Sequence, residues 1–101
     1  MNQDQKALNL LGIAMKAGKL VTGEDLTLKE IRKEQAKVVL IATDASDQTK
    51  KKISDKCRYY NIPIVLHFTK SELSQAIGKE RTICTTLDNG FGKKIRELLL
   101  N

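Results

Sequence analysis

The chain is poor in the side chains on which many binding sites depend. Aromatic residues make up only 4% of its 101 residues, and tryptophan is absent. A platform of several aromatic rings for stacking nucleic-acid bases is therefore not expected. The core must instead be aliphatic, and a hydrophobic fraction of 41% is enough to build one in a chain of this length.

Cysteine and histidine are also scarce. The chain has two cysteines, Cys57 and Cys84, and a single histidine, His67. We expect the cysteines to stay reduced and buried, and these residues are too few for a zinc site, so no metal or cofactor is predicted. No nucleophile–base–acid order surrounds His67, which favours a structural role over catalysis.

Long apolar runs and targeting signals are missing as well. No apolar run approaches the roughly 20 residues that span a bilayer. The first residues, Met1 to Lys6, lack the basic-then-apolar order of a signal peptide. We therefore expect a cytoplasmic protein without a membrane partner. With Pro63 as the only proline and no repeat or linker, the sequence predicts one domain over residues 1–101 with short connections.

Positive charge is present in excess. The formal net charge is +6 and the isoelectric point is about 9.4. This balance favours an anionic partner such as a nucleic acid. Many basic domains nevertheless have no specific anionic partner, so net charge alone does not predict binding. The arrangement of the charged residues along the chain is the more informative observation.

Helical and strand patterns alternate along the chain. Leu8, Leu11 and Met15 recur at helical spacing, which predicts a helix from Asp4 to about Ala17 that stops at Gly18. The apolar run 37–42 lacks alternation and is typical of a strand covered on both faces. Further helices are expected at 23–33, from the capping segment 43–47 to about residue 60, at 69–77 and after Asp88. Further strands are expected at 19–21, 62–66 and 83–86. The pattern predicts an α/β fold, a three-layer α/β/α sandwich with a small mixed, partly parallel four-stranded sheet.

The segment from Thr22 to Lys29 has two interpretations from its residues alone. In the first it is a capped helix start, with Thr22 as N-cap, with Glu24 and Asp25 favouring the helix dipole, and with Lys29 pairing with Asp25. In the second the same groups bind RNA. Carboxylates accept hydrogen bonds from guanine N1–H and N2–H, Gly23 allows close approach of the backbone, and Lys29 reaches a phosphate or guanine O6. Nearby cations could extend a positive rim: Lys16, Lys19, Arg32 and Lys33.

Four segments in order resemble the kink-turn-binding family of ribosomal proteins, the L-seven-Ae type, and within it the short bacterial members of the YlxQ type. The resemblance covers nearly the whole chain. The segments are residues 21–25 with Lys29, residues 38–46, residues 57–63, and residues 69–73 with 76–79.

The resemblance implies a three-layer fold and a noncatalytic protein that docks on RNA bent at sheared G·A pairs, with ribosomal RNA as the expected source. The family signature reads glycine, a small residue, asparagine, glutamate, and lysine three residues later. Gly23 and Lys29 match it, whereas Asp25 replaces the asparagine and Leu26 replaces the glutamate. Leu26 cannot accept a hydrogen bond, and an ionised Asp25 cannot donate one.

The second half of the implied RNA face is the loop that precedes the last strand. There the resemblance assigns phosphate contacts to Lys79 and Arg81 and an apolar contact to Ile83; from its residues alone the segment is an ordinary charged turn. The predicted RNA-binding residues are Gly23, Glu24, Asp25, Lys29, Arg32, Lys33, Lys79, Glu80, Arg81, Thr82 and Ile83. A ribosome-associated monomer is expected.

Other patterns favour structural roles. Lys50, Lys51 and Lys52 point about 100° apart on a helix and form a solvated face rather than one stripe. Asp44 follows a strand, as a phosphoacceptor would, but a cap for the next helix explains it more simply. Two other functions remain open: a phosphotransfer enzyme using Asp44, and a protein-interaction adaptor with a weakened RNA face, which Leu26 permits.

Overall fold

The computed structural model describes residues 2–100, along which helices alternate with strands as predicted. The helices are α1 (Gln3–Lys16), α2 (Glu24–Arg32), α3 (Asp47–Tyr59), α4 (Lys70–Ile77) and α5 (Asn89–Leu99). The strands are β1 (Leu20–Thr22), β2 (Val38–Ile41), β3 (Ile64–Val65) and β4 (Ile83–Thr86). Within residues 2–100 no helix is both long enough and apolar enough to cross a membrane.

The four strands form one mixed sheet in the order β1-β4-β2-β3. Strand β4 runs antiparallel to both β1 and β2, whereas β2 and β3 are parallel. All four residues of β2 and of β4 are buried, because both strands are central and covered on both faces. Helices α1, α4 and α5 pack together in one layer and α2 packs with α3 in another. The α/β prediction and its partly parallel sheet are confirmed.

Local capping signals set most helix starts. Thr69 and Glu72 form the predicted capping box of α4, since the Thr69 side chain accepts from the Glu72 N–H and the Glu72 side chain accepts from the Thr69 N–H. Asp88 caps α5 by accepting from the Phe91 N–H at 3.0 Å. Gly18, with φ of 71°, follows the end of α1 as predicted.

The prediction that Thr22 caps α2 is wrong. Thr22 belongs to β1, where it pairs with Cys84 and is buried. The cap position is Gly23, which offers no side chain. Strand β1 therefore continues through Thr22, one residue beyond the predicted end of the strand. The preference of threonine for helix caps led to the wrong assignment. Strand β3 is shorter than predicted, and Pro63 before it accepts from the Val39 N–H while lying next to the edge strand.

Candidate nucleic-acid interface

A backbone hydrogen bond joins the start of α2 to the start of β4. The Gly23 N–H donates to the Ile83 carbonyl at 2.9 Å. A Cβ added at Gly23 would lie 3.9 Å from Cδ and Nε of Arg81, so the glycine and the arginine side chain are neighbours. We call the surface formed by residues 23–29 and 78–83 the seam. The structure thus brings both predicted halves of the face together.

The loop half of the seam is held by α4 and by the sheet. Gly78 follows the last residue of α4 in the left-handed conformation, with φ of 78° and ψ of 15°. The Ser74 hydroxyl accepts from the Arg81 N–H at 3.0 Å and donates to the Arg81 carbonyl at 3.2 Å. Thr82 is half-buried, and its carbonyl accepts from the Ala42 N–H at 2.8 Å. The backbone of the loop is therefore fixed at two successive residues.

The charged side chains of this loop differ in how they are engaged. Glu80 pairs with Lys70 at 3.0 Å, and this hydrogen bond holds the pKa of the Glu80 carboxyl below its ordinary value. Nη1 of Arg81 donates to the Glu80 carbonyl at 2.8 Å. Lys79 is exposed. Lys79 and Arg81 therefore keep their positive charge at the surface, whereas the charge of Glu80 is balanced within the protein.

The helix half of the seam is fixed to the sheet by a buried pair of hydroxyls. Oγ1 of Thr27 and Oγ1 of Thr85 lie 2.8 Å apart, which ties α2 to β4. On the outer side of α2, Asp25, Leu26 and Lys29 are exposed. Lys29 shares a face with the other two, because it follows them by four and three positions.

Two expected contacts, one in each half of the seam, are wrong. Lys29 forms no ion pair with Asp25 in the part of the chain that the structure describes, and both side chains are exposed. An exposed pair of this kind gains little free energy, so its absence costs little. Ile83 does not offer an apolar contact, because its side chain is 1% exposed in the core and only its carbonyl reaches Gly23. Leu26, 49% exposed, is the apolar side chain at this surface.

Several predicted rim residues lie away from the seam. Arg32 is the last residue of α2, eight positions after Glu24, or about 12 Å along the axis. Lys33 follows it and pairs with Glu30 at 3.8 Å. The carbonyl of Lys19 accepts from the Leu87 N–H, beyond the end of β4 that is opposite to Ile83.

Sequence reasoning missed Lys52 as a neighbour of the seam. Its ammonium pairs with the Glu24 carboxylate at 3.1 Å across α2 and α3. Lys50 instead donates to the Thr43 carbonyl at 2.8 Å, and Lys51 pairs with Asp55 at 2.8 Å. The three lysines thus point in different directions, as predicted, and only the packing of α2 on α3 reveals which one reaches Glu24.

Asp44 has a structural role, although not the expected one. Its Oδ1 accepts from the Lys70 N–H at 2.8 Å, so it binds the start of α4 rather than that of the next helix α3. Ser46 caps α3 by accepting from the Thr49 N–H. The prediction failed because the strand end of β2 lies beside the start of α4, a contact between residues far apart in sequence.

The remaining reactive side chains form no cluster in the described part of the chain. His67 Nε2 and Asp4 Oδ1 lie 2.8 Å apart at the surface. Cys57 and Cys84 are free and buried, as predicted, and burial raises the pKa of their thiols to about 11 and about 12. Among residues 2–100, no three His, Cys, Asp or Glu side chains are placed to hold a metal ion.

Comparison with known proteins identifies relatives that match nearly the whole chain. Residues 5–95 match the profile of the ribosomal protein L7Ae/L30e/S12e/Gadd45 family. The chain is 54% identical over 95 residues to the RNA-binding protein YlxQ of Enterococcus faecium, covering 94% of this chain and 92% of that one. It is 47% identical over 91 residues to the RNA-binding protein YlxQ of Bacillus subtilis (strain 168), covering 89% and 91%. The resemblance inferred from the four segments is confirmed.

Solved structures share the fold. A protein with unknown function from Bacillus halodurans superposes with a TM-score of 0.91 at 39% identity, covering 95% of this chain and 98% of that one. A 15.5kD RNA binding protein from Giardia lamblia superposes with a TM-score of 0.79, covering 95% and 83%. At 21% identity the second comparison supports the fold alone.

Proposed function

The chain belongs to the ribosomal protein L7Ae/L30e/S12e/Gadd45 family, and on that premise we propose that it is a noncatalytic RNA-binding protein whose contact surface is the seam. The observation that carries the proposal is the hydrogen bond from Gly23 to Ile83, which makes one surface from two segments far apart in sequence. The excess positive charge of the chain and the names of its two YlxQ relatives support the same partner.

We assign the contacts by chemistry. Lys29, Lys79 and Arg81 contact phosphates, because they are exposed cations on both halves of the seam. Asp25 accepts hydrogen bonds from a base, and Gly23 allows the backbone to approach. Glu24 is already paired with Lys52, so its part in base recognition requires that this pair open or share its oxygens.

The proposed target is a kinked or bulged RNA element of the kink-turn type, with ribosomal RNA as its source. Gly23 and Lys29 support it because they match the family signature. Leu26 adds an exposed apolar surface where the signature has a carboxylate, which favours contact with an unstacked base or sugar over a hydrogen bond. We also propose that the protein acts in the cytoplasm and that residues 1–101 form a single domain.

Binding to a kink-turn RNA tests the proposal. Lys29→Ala should weaken binding and lower the salt slope by about 0.7–0.9, because one phosphate contact is lost; a loss of about 1–3 kcal/mol would indicate that Lys29 also contacts a base. Lys94→Ala, which removes the same charge from α5, is the matched control. Titrations by fluorescence anisotropy at several salt concentrations should show affinity falling with salt, with a logarithmic slope of about −0.7 to −0.9 per phosphate neutralised. Equal curves for wild type and Lys29→Ala would remove Lys29 from the face.

A protein-interaction adaptor is the second candidate, and the exposure of Leu26 favours it. If the adaptor proposal is right, Leu26→Ala should reduce the capture of proteins from a cell extract, and nuclease treatment should leave that capture unchanged. Loss of the captured proteins after nuclease treatment would show that RNA connects them and would support the RNA-binding proposal.

A further inference from the structure

A positively charged cleft lies at the end of the sheet opposite to the seam. We call it the distal cleft; its volume is about 270 Å³, and its lining includes Lys37, Tyr60, Asn61, Asn89, Lys93 and Arg96. The Lys37 N–H donates to the carbonyl of Thr86, the last residue of β4. The seam is joined to the opposite end of the same strand, at its first residue Ile83. The three steps between these residues separate the two sites by about 10 Å along the strand.

A close approach of α5 to the sheet builds the distal cleft. Gly92 is buried, and a Cβ there would lie 2.9 Å from Cβ of Lys37 and 3.3 Å from Oγ1 of Thr86. The missing side chain allows α5 to pack against the start of β2. Lys93 and Arg96 of α5 therefore line the same cleft as Lys37.

The charge of the distal cleft comes from its side chains. Its lining holds three cations, Lys37, Lys93 and Arg96, and one acid, Glu34. In the part of the chain that the structure describes, none of these three cations forms an ion pair, in contrast to Lys52 and Lys70 beside the seam. The cations therefore keep their full charge for a partner.

We propose that the distal cleft binds the phosphate backbone of a second RNA segment, so that the protein holds two parts of one folded RNA. The proposal rests on the RNA-binding function assigned to the seam. The side-chain amides of Asn61 and Asn89 can donate hydrogen bonds to phosphate or ribose oxygens. The cations come from two parts of the fold, the residue before β2 and helix α5, so they can contact more than one phosphate. The seam and the distal cleft lie at opposite ends of the sheet, and the proposal therefore assigns them to two different segments of the RNA.

Two variants with the same loss of charge test this proposal. The first is Lys93→Ala/Arg96→Ala in the distal cleft, and the control is Lys6→Ala/Lys94→Ala, whose side chains do not line it. Each is titrated with a short kink-turn RNA and with the same RNA extended by a further helical arm. Thermal unfolding first establishes that both variants are folded.

On the extended RNA, the cleft variant should bind about tenfold more weakly than the control, and its salt slope should fall by about 1.4–1.8 because two phosphate contacts are lost. On the short RNA the two variants should bind equally. Equal affinities on the extended RNA, or the same loss on both RNAs, would overturn the proposal.

A spectroscopic measurement distinguishes RNA from a free anion. Addition of the extended RNA should shift the amide resonances of Asn89 and Lys93, and inorganic phosphate at the same phosphate concentration should not. Equal shifts with both would identify a small-anion site and overturn the RNA proposal. Failure of the seam is separate: it would leave Lys29→Ala without effect, whereas failure of the distal cleft would leave Lys93→Ala/Arg96→Ala without effect.

Discussion

Gly23 connects β1 to α2 with backbone angles that other residues rarely adopt. Its φ of 90° and ψ of 164° lie in a region that is essentially restricted to glycine, whereas Gly78, at φ 78° and ψ 15°, is in the left-handed region that asparagine tolerates. Space is not the constraint at Gly23, because the nearest atoms to an added Cβ are 3.9 Å away.

Gly23→Asn should therefore destabilise the protein by about 1–3 kcal/mol. Gly78→Asn, the matched control in the other half of the seam, should cost clearly less, since asparagine is common at such helix ends. Urea unfolding of both variants measures the difference. Equal free energies of unfolding would show that the angles at Gly23 carry no strain for a side chain.

The buried thiols make stability depend on pH in the alkaline range. The pKa of Cys57 is raised from 9.0 to about 11 and that of Cys84 from 9.0 to about 12, because burial disfavours the thiolate. The contribution of the protonated thiols to the free energy of unfolding is fully present below pH 9. It is lost as pH rises from about 9 to 12, because the unfolded chain then releases protons that the folded chain retains. The slope is at most about 1.4 kcal/mol per pH unit for each thiol.

The variant Cys57→Ala/Cys84→Ala should show a flatter decline of the free energy of unfolding between about pH 9 and 11 than wild type. The two proteins differ only at the two cysteines, so the difference between the two curves isolates the contribution of the thiols. Parallel curves would contradict the raised pKa values.

Contacts between side chains far apart in sequence were the features hardest to predict from the sequence. Capping of α4 by Thr69 and Glu72 depends on neighbours three positions apart and was predicted correctly. The pairing of Glu24 with Lys52, and the bond from Asp44 to the start of α4, depend on elements meeting in space. No local pattern contains that information.

At the scale of elements, the central strands and the helices were predictable because their patterns are local. Strand β2 is a continuous apolar run, and its burial on both faces follows directly. The ends of the edge strands β1 and β3 were misplaced by one or two residues, because they are set by pairing with β4 and β2 rather than by their own residues. The cap of α2 was assigned to Thr22 for the same reason.

Helix α4 supports the loop half of the seam, so we expect RNA binding to depend on Ser74. Ser74→Ala removes both hydrogen bonds to the Arg81 backbone. Hydrogen exchange at the Arg81 amide should become faster, and RNA affinity should fall by about 0.5–1.5 kcal/mol because the loop must be ordered on binding. Ser71→Ala is the control: it makes the same change on an exposed position of α4. Unchanged exchange at Arg81 would contradict the proposed support.

At the scale of the whole molecule, the family resemblance supplied what patterns could not. Local periodicity indicated alternating helices and strands, but not that Gly23 and Ile83 would meet. The strand order brings Gly23 and Ile83 together, because β1 pairs antiparallel with β4 and the end of β1 therefore lies beside the start of β4. Pairing between segments about 60 residues apart is a property of the fold rather than of any local spacing.

The distribution of exposed apolar side chains predicts a monomer. Among residues 2–100, the exposed large apolar residues lie on or next to five different elements: Ile13, Leu26, Tyr59, Leu66 and Leu100. A stable dimer interface needs a contiguous surface of about 800 Å² on each partner. Sedimentation equilibrium should therefore give the chain mass of 11.3 kDa at micromolar concentration. A mass of twice that value would contradict the expectation.

The link between Gly23 and Ile83 uses only peptide groups. The outward side chains on either side of it can thus be exchanged without disturbing the frame that presents them. A library varied at Asp25, Leu26 and Lys79 would retain its geometry while its preference among ribonucleotide ligands changed, which makes this surface a scaffold for engineered recognition.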